Sequence, residues 1–113
     1  MKIYHILDKK GWEKAKKVGF YVPDSLEKDG FIHCSTKKQV LPTANRRFRG
    51  NNNLLLLIIN LKKVKTKIVH EDLKGMGEEH PHVYGRLLLN EIESVVEFKP
   101  EENGHFERLP PQM

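Results

Sequence analysis

The 113-residue chain has a single cysteine, Cys34, and no apolar run longer than the six residues 54–59. One cysteine cannot form an internal disulfide, which agrees with a reducing compartment. Six apolar residues are far fewer than the roughly 20 that a membrane-spanning helix needs. The N-terminus turns to charged residues after only a few apolar ones, so it lacks the apolar stretch of a secretory signal. We therefore expect a cytoplasmic protein that does not cross a membrane.

Several enzyme motifs are also missing. The sequence contains no Gly-x-Gly-x-x-Gly and no P-loop, so it gives no support for phosphate binding of the Rossmann or Walker type. It also contains no Gly-x-Ser-x-Gly, the turn that carries the nucleophilic serine of α/β-hydrolases. His80 and His82 would lie on one side of a strand, and His33, Cys34 and His70 are conceivable further metal ligands. Because the chain has no cysteine pair and no zinc-ligand spacing, we expect no metal.

The charge balance favours anionic partners. The formal net charge is +5, the pI is near 9.4, and Arg46, Arg47 and Arg49 form a cluster. Nucleotides, phosphate groups and nucleic acids are the partners that such a balance attracts. A lysine-rich surface is also an ordinary means of staying soluble, so the charge alone does not decide between these interpretations.

The composition fits one globular domain. Hydrophobic residues make up 38% of the chain and charged residues 31%, which is typical of a folded protein with a heavily charged surface. We assign residues 1–100 to this domain. Residues 101–113 carry Pro, Gly and charge, and we expect them to form a loosely packed C-terminal tail.

Hydrophobic periodicity predicts strands and helices mixed along the chain. Residues 3–7 alternate as a strand, and a helix over Lys9–Val18 follows, with Asp8 as its N-cap and Gly19 as its stop. A later helix is interrupted at Pro42, which predicts either a break or a short first turn followed by a second helix.

Further strands are expected in the second half of the chain, at residues 54–59, 67–71, 82–87 and 92–98. The first of these is apolar throughout, as in a strand that is buried on both faces, and it should be central in its sheet. The predicted fold class is therefore α+β.

Residues 29–36 are the most informative run. If they form a strand, Ile32 and Cys34 share one face and can enter the core, while Phe31, His33 and Ser35 share the other. That second face carries the titratable ring of His33 beside the hydroxyl of Ser35, an arrangement that is typical of a catalytic or binding site. Cys34 is expected to be an inert core residue, and a serine two positions from a histidine is poorly placed for a hydrolase triad.

A second histidine run follows Pro81. If it is extended, His80, His82, Tyr84 and Arg86 share a face that suits an anionic or hydroxyl-rich ligand. The alternative is that each histidine is a structural residue near a strand end.

These two runs are the most specific part of a family resemblance. The residues that carry it are Ile3, Tyr4, His5, Ile6, Trp12, Gly19, Ser25, residues 30–36, Gln39, Val40, Asn45, Gly50, the Leu-rich strand, Glu71 and residues 81–85. Together they resemble the small bacterial family known as domain of unknown function 952, over residues 1–100. In that family an apolar aromatic is usual where this chain has His80.

The resemblance implies a compact domain similar to the ADP-ribosyltransferase superfamily, with two packed antiparallel sheets and two short helices. Members of that superfamily bind NAD in a cleft between the sheets. They are similar in placing a His on an early strand, an aromatic or hydroxyl residue on the next and a third polar residue on a later one. In this chain the resemblance implies that the early-strand residue is His5 or His33 and that its partner is Ser35 or Tyr84. The later-strand residue would be His82 or Glu71.

We therefore expect a protein that binds NAD or a related nucleotide in a His-lined cleft, with ADP-ribosyl- or phosphotransferase-like activity. In this hypothesis Tyr84 stacks on a ring and Arg86 meets a phosphate. The expected catalytic residues are His33, His82, Tyr84 and Ser35, and the expected cofactor contacts are His5, Arg86 and Glu71. The alternative is a non-catalytic module that binds nucleic acid or a protein through the same basic cleft.

Overall fold

The computed structural model describes all 113 residues, with strands and helices alternating along the first half of the chain and strands filling the second. The elements are β1 (Lys2–Asp8), α1 (Lys9–Val18), β2 (Phe20–Tyr21), α2 (Asp24–Asp29), β3 (Ile32–His33), α3 (Val40–Arg47), β4 (Leu54–Asn60), β5 (Ile68–Glu71), β6 (His80–Val83), β7 (Leu87–Leu88) and β8 (Ile92–Phe98). Short 3₁₀ turns lie at Lys37–Gln39, Leu61–Lys63 and Leu89–Glu91. None of the helices has the length and apolar character needed to cross a membrane.

The main sheet has the order β1-β4-β8, and both pairings are antiparallel. The apolar strand β4 is therefore central, as predicted. Its two faces enter different cores: Leu57 and Ile59 join one cluster of buried side chains, while Leu56 and Ile58 join the other. This explains why the strand is apolar at nearly every position rather than at alternate ones.

The two cores cover opposite faces of the main sheet. On one face, Ile3 and Leu7 of β1 pack with Ala15 of α1 and with the smaller strands. On the other face, Tyr4 and Ile6 pack with α3. The period-two alternation predicted for residues 3–7 is confirmed. The cleft described below is lined from both faces, by Leu7 and Ala15 of the first core and by Ile6 and Phe48 of the second.

Local signals fix both ends of α1. The Asp8 carboxylate accepts the backbone N–H of Gly11 at 2.7 Å, which satisfies one of the free donors at the helix start. Gly19 ends the helix with φ at 93°, in the left-handed region that glycine adopts without strain. The predicted bounds of this helix are confirmed.

Pro42 is accommodated by a two-step helix. A 3₁₀ turn at Lys37–Gln39 precedes α3, and Pro42 is the third residue of α3, where a backbone N–H has no acceptor inside the helix. The Gln39 side chain accepts the N–H of Thr36 at 3.0 Å. The prediction of a short first turn followed by a second helix is confirmed.

The expected count of two sheets and two helices is wrong. Besides the main sheet there are a β2-β7 pair and a β3-β6-β5 sheet, all antiparallel, and α2 is a third helix. Residues 29–36 do not form one continuous strand. Ile32 and His33 pair with β6, whereas Ser35 forms a bridge to Tyr4 of β1. The run thereby ties the main sheet to the sheet that carries His82.

The expectation of a loosely packed tail needs correction at Phe106. This side chain is 1% exposed and lies against Phe98, with ring centroids 4.8 Å apart. Asn45 of α3 holds the Phe106 backbone at both its N–H and its carbonyl, at 2.7 and 2.9 Å. The tail therefore completes the core on the α3 face of the main sheet.

Candidate functional site

A cleft of about 1470 Å³ brings the two histidine runs together. Its lining comes from β1, α1, α2, the run around β3, the end of α3 and the loop between β5 and β6. Of the residues predicted for a site, those that line the cleft are His5, His33, Ser35, Glu71 and His82. We refer to this as the histidine cleft.

His33 is held by a carboxylate from the preceding helix. Its Nε2 donates to Asp29 Oδ2 at 2.9 Å, and Asp29 is the last residue of α2. The hydrogen bond from His33 keeps the pKa of Asp29 below its usual range. The His33 side chain lines the cleft and is 35% exposed, and its Nδ1 has no hydrogen-bond partner in the protein.

His82 is held by Glu71 across the β5–β6 pair. A carboxylate can only accept, so His82 Nδ1 donates to Glu71 Oε2, at 2.8 Å. The Tyr84 hydroxyl donates to the same oxygen. The pKa of Glu71 is lowered, first by the hydrogen bond from Tyr84 and then by that from His82, and the pKa of Tyr84 is raised by Glu71.

This arrangement fixes which nitrogen of His82 faces a ligand. With Nδ1 used for Glu71, Nε2 has no partner in the protein and is not fully buried. The His82 side chain as a whole is 8% exposed and is stacked against Phe31, with ring centroids 3.9 Å apart and planes 22° apart. Its edge rather than its face is therefore presented to the cleft.

His33 and His82 are neighbours. They are paired in register across β3 and β6, and their ring centroids lie 5.7 Å apart with planes at 74°. Phe31 contacts both rings, since its centroid is 4.7 Å from that of His33. The structure thus brings together the pair predicted from the sequence, with Phe31 packed against both.

His5 has a different role. Its Nδ1 donates to the His33 carbonyl at 2.6 Å, so in the neutral ring Nε2 accepts from the Tyr21 hydroxyl, at 2.7 Å. Burial lowers the pKa of His5 to about 4, so the ring is neutral near pH 7. Because both nitrogens are occupied, His5 lines the cleft but positions β3 and Tyr21 rather than a ligand.

Ser35 lines the cleft beside β1. Its backbone N–H donates to the Tyr4 carbonyl at 2.7 Å, and its carbonyl accepts the Tyr4 N–H at 2.8 Å. Cys34 points to the core, and burial raises the pKa of its thiol, in keeping with its expected inertness.

Tyr84 contacts Glu71 and Phe31 but is not among the residues that line the cleft. Arg86 does not line the cleft either; its guanidinium lies 4.4 Å from the ring centroid of Phe20.

Sequence reasoning missed three residues of this site. Asp29 and Tyr21 orient His33 and His5, and Phe31 was placed on the right face but given no role. The spacing of Asp29 four residues before His33 is a weak signal, because it predicts contact only if the chain turns at Gly30. Tyr21 has no local signal, since its contact with His5 forms only after α1 reverses the chain.

The cleft carries cations that are free to bind an anion. None of its lysines or arginines forms a salt bridge within the chain; they are Lys14, Lys28, Arg46, Arg47 and Lys74. Most of the lining carboxylates are engaged. Asp8 and Asp72 accept backbone N–H groups, and the acids beside histidines are paired with them. No group of three or more His, Cys, Asp or Glu side chains is arranged to hold a metal ion.

Comparison with known proteins gives a family and a solved fold. Residues 6–95 match the family described as "Protein of unknown function (DUF952)". The crystal structure of protein CC0527 from Caulobacter crescentus is similar over 95% of this chain and 94% of that one, with 31% identity and a TM-score of 0.85. A solution NMR structure of CC0527 covers 94% and 91% of the two chains, with 32% identity and a TM-score of 0.75. No curated protein matches the chain.

Proposed function

The chain belongs to the DUF952 family, and from this starting point we propose that it binds NAD or a related nucleotide in the histidine cleft. The observation that carries the proposal is the meeting of His33 and His82 in a cleft whose five lysines and arginines have no ion-pair partner. A dinucleotide carries a diphosphate that needs such cations, and it carries ribose hydroxyls that imidazoles can bind.

We also propose that the fold is ADP-ribosyltransferase-like. Support comes from the antiparallel sheets that line the cleft, since β1 of the main sheet and the β3-β6 pair both contribute lining residues. In the chemistry of that superfamily the nicotinamide leaves from a ribosyl cation-like state. The task of the protein is then to hold the ribose hydroxyls and to position the departing ring.

The geometry changes the roles of some residues. In this proposal His33, His82 and Ser35 meet the ribose hydroxyls, because all three line the cleft. Arg46 and Arg47 line the cleft where Arg86 does not, so they are better placed to bind the diphosphate. Tyr84 shares the Glu71 carboxylate with His82, and we assign it to positioning rather than to stacking on the nicotinamide.

Thermal unfolding with added ligand tests the proposal. A ligand that binds only the folded state stabilises it by about 2.7 kcal/mol at 100 times its Kd, so millimolar NAD should raise Tm by several degrees. The same increase should be absent in Arg46→Ala/Arg47→Ala. If NAD, ADP-ribose and an RNA end bearing a 2′-phosphate all leave Tm unchanged, the proposal is wrong.

A second candidate function is a non-catalytic module for nucleic acid. It is favoured by the position of Arg46 and Arg47 at the end of α3, where two adjacent cations line an open cleft. Salt separates the two functions. Backbone binding to nucleic acid releases counterions and weakens steeply between low and physiological salt, whereas binding of one nucleotide depends on salt much less.

A further inference from the structure

Two histidines in the cleft, rather than one, are hydrogen bonded to carboxylates, while His80 makes only an ion-pair contact of 3.3 Å with Glu78. Release of nicotinamide from NAD requires no acid, because the departing ring keeps the bonding electrons and leaves as a neutral molecule. A single base is enough to activate the attacking group. NAD chemistry therefore needs only one of these two histidine–carboxylate pairs for proton transfer, and the other would only hold a ribose hydroxyl.

The two histidines use different ring nitrogens to bind their carboxylates. His33 uses Nε2 for Asp29 and leaves Nδ1 free, whereas His82 uses Nδ1 for Glu71 and leaves Nε2 free. The rings are nearly perpendicular, with centroids 5.7 Å apart. Two imidazoles whose ring centroids are this close can act on two atoms bonded to one centre, one that loses a proton and one that gains a proton.

We propose that the histidine cleft cleaves RNA by transfer of a phosphodiester to the neighbouring 2′-hydroxyl. His82 Nε2 takes the proton of the 2′-hydroxyl while that oxygen bonds to phosphorus. The bond from phosphorus to the 5′-oxygen breaks, and protonated His33 gives its Nδ1 proton to this leaving oxygen. The products are a 2′,3′-cyclic phosphate and a 5′-hydroxyl, so no further reactant is consumed.

Exposure and packing assign the two roles. His82 is 8% exposed, is stacked on Phe31 and shares its carboxylate with Tyr84, so it is the more firmly held ring, and we assign it to the base. His33 is 35% exposed, so a leaving group that departs toward solvent can reach it, and we assign it to the acid.

The cleft also explains why a phosphodiester is the substrate class. An alkoxide is a poor leaving group and needs the acid that nicotinamide does not, so both histidines have a role. Lys28 and Lys74 line the cleft, act on the charge of Asp29 beside His33 and form no salt bridge, so they can bind the phosphate and stabilise the charge that grows on its oxygens. RNA cleavage by this route does not depend on NAD binding. The test of one proposal can therefore fail while the other proposal holds.

The test uses four DNA oligonucleotides, each with one internal ribonucleotide (A, C, G or U) and a 5′ fluorophore, so that only one bond can be cleaved by this route. Wild-type protein is compared with His33→Ala, His82→Ala and His82→Asn. Asn keeps a donor for Glu71 but cannot take the proton. His70→Ala is the matched control, because His70 is exposed on β5 and does not line the cleft.

We expect cleavage of at least one oligonucleotide to a 2′,3′-cyclic phosphate end. Each of the three cleft variants should lower the rate by about 100-fold or more, the His70→Ala rate should match wild type, and a 2′-O-methyl ribonucleotide should block the reaction. Equal cleavage by all variants would indicate a contaminating nuclease and would overturn the proposal. Absence of cleavage with all four oligonucleotides, in variants and wild type alike, would also overturn it.

Discussion

The imidazoles of His33 and His82 lie with their ring centroids 5.7 Å apart, and each is hydrogen bonded to a carboxylate of its own. Neither carboxylate lies in the same strand as the histidine that it holds: Asp29 ends α2 and Glu71 ends β5. The site therefore depends on the docking of α2 against β3 and on the register of β5 with β6. Changes to any of these contacts should alter the cleft before they alter the main sheet.

The two histidines should differ in their contribution to stability. His33→Ala removes a half-exposed side chain and should change the free energy of unfolding by no more than about 0.5 kcal/mol. His82→Ala leaves the Glu71 carboxylate without its buried partner and should cost about 1–3 kcal/mol. Urea unfolding monitored by circular dichroism measures both. Equal losses would mean that His33 is also a structural residue.

Tyr84 should report the charge of Glu71 directly. Its pKa is raised because its hydroxyl donates to the Glu71 carboxylate, so Glu71→Gln should bring the pKa of Tyr84 down toward its ordinary value. Phenolate absorbance followed with pH measures this shift, and Tyr84→Phe identifies which transition belongs to Tyr84. Glu78→Gln is the control, because Glu78 pairs with His80 and not with a tyrosine. An unchanged titration in Glu71→Gln would show that the contact is not formed in solution.

His5 should make stability depend on acid pH. Its pKa is about 4 in the folded protein against 6.5 for an ordinary histidine. Below pH 6.5 the unfolded chain therefore binds a proton that the folded chain does not. From pH 6.5 down to pH 4, this should lower the free energy of unfolding by roughly 1 kcal/mol per pH unit. His5→Gln should flatten the dependence, while His70→Gln should leave it as it is. The same slope in all three proteins would contradict the buried neutral ring.

The tail should stabilise the fold through Phe106. Because this side chain is fully buried against Phe98, Phe106→Ala should cost about 3–5 kcal/mol. Glu102→Ala, at an exposed position of the same segment, should stay within about 0.5 kcal/mol of wild type. Thermal and urea unfolding give both values. A small loss for Phe106→Ala would restore the expectation of a loosely packed tail.

The parts of the fold that the sequence predicts are those governed by local chemistry. Asp8 and Gly19 bound α1 because a cap and a left-handed glycine act over one turn. The burial of Ile32 and Cys34 in the core, with His33 between them left partly exposed, follows from alternation along an extended chain. Such signals depend on residues that are close in the sequence and not on which residues pack against them across the core.

The failures arise where the chain leaves regular structure. The expected face with His82, Tyr84 and Arg86 assumes one continuous strand, but β6 ends at Val83. Gly85 then passes so close to Thr66 that a Cβ at this position would lie 2.6 Å from it. The alternation is broken there, and Arg86 comes to lie over Phe20 instead of in the cleft. Contacts of this kind depend on tertiary packing and have no local sequence signal.

The histidine cleft as a nucleotide site is tested most directly by an NMR titration of the isotope-labelled protein with NAD. We predict that saturating NAD shifts the imidazole signals of His33 and His82 and the amide signals of Phe31 and Ser35. The amide signal of Val95, on the edge strand of the main sheet opposite β1 and outside the cleft lining, should stay in place. If millimolar NAD shifts none of the cleft signals, or shifts only signals outside the cleft, NAD does not bind where His33 and His82 meet.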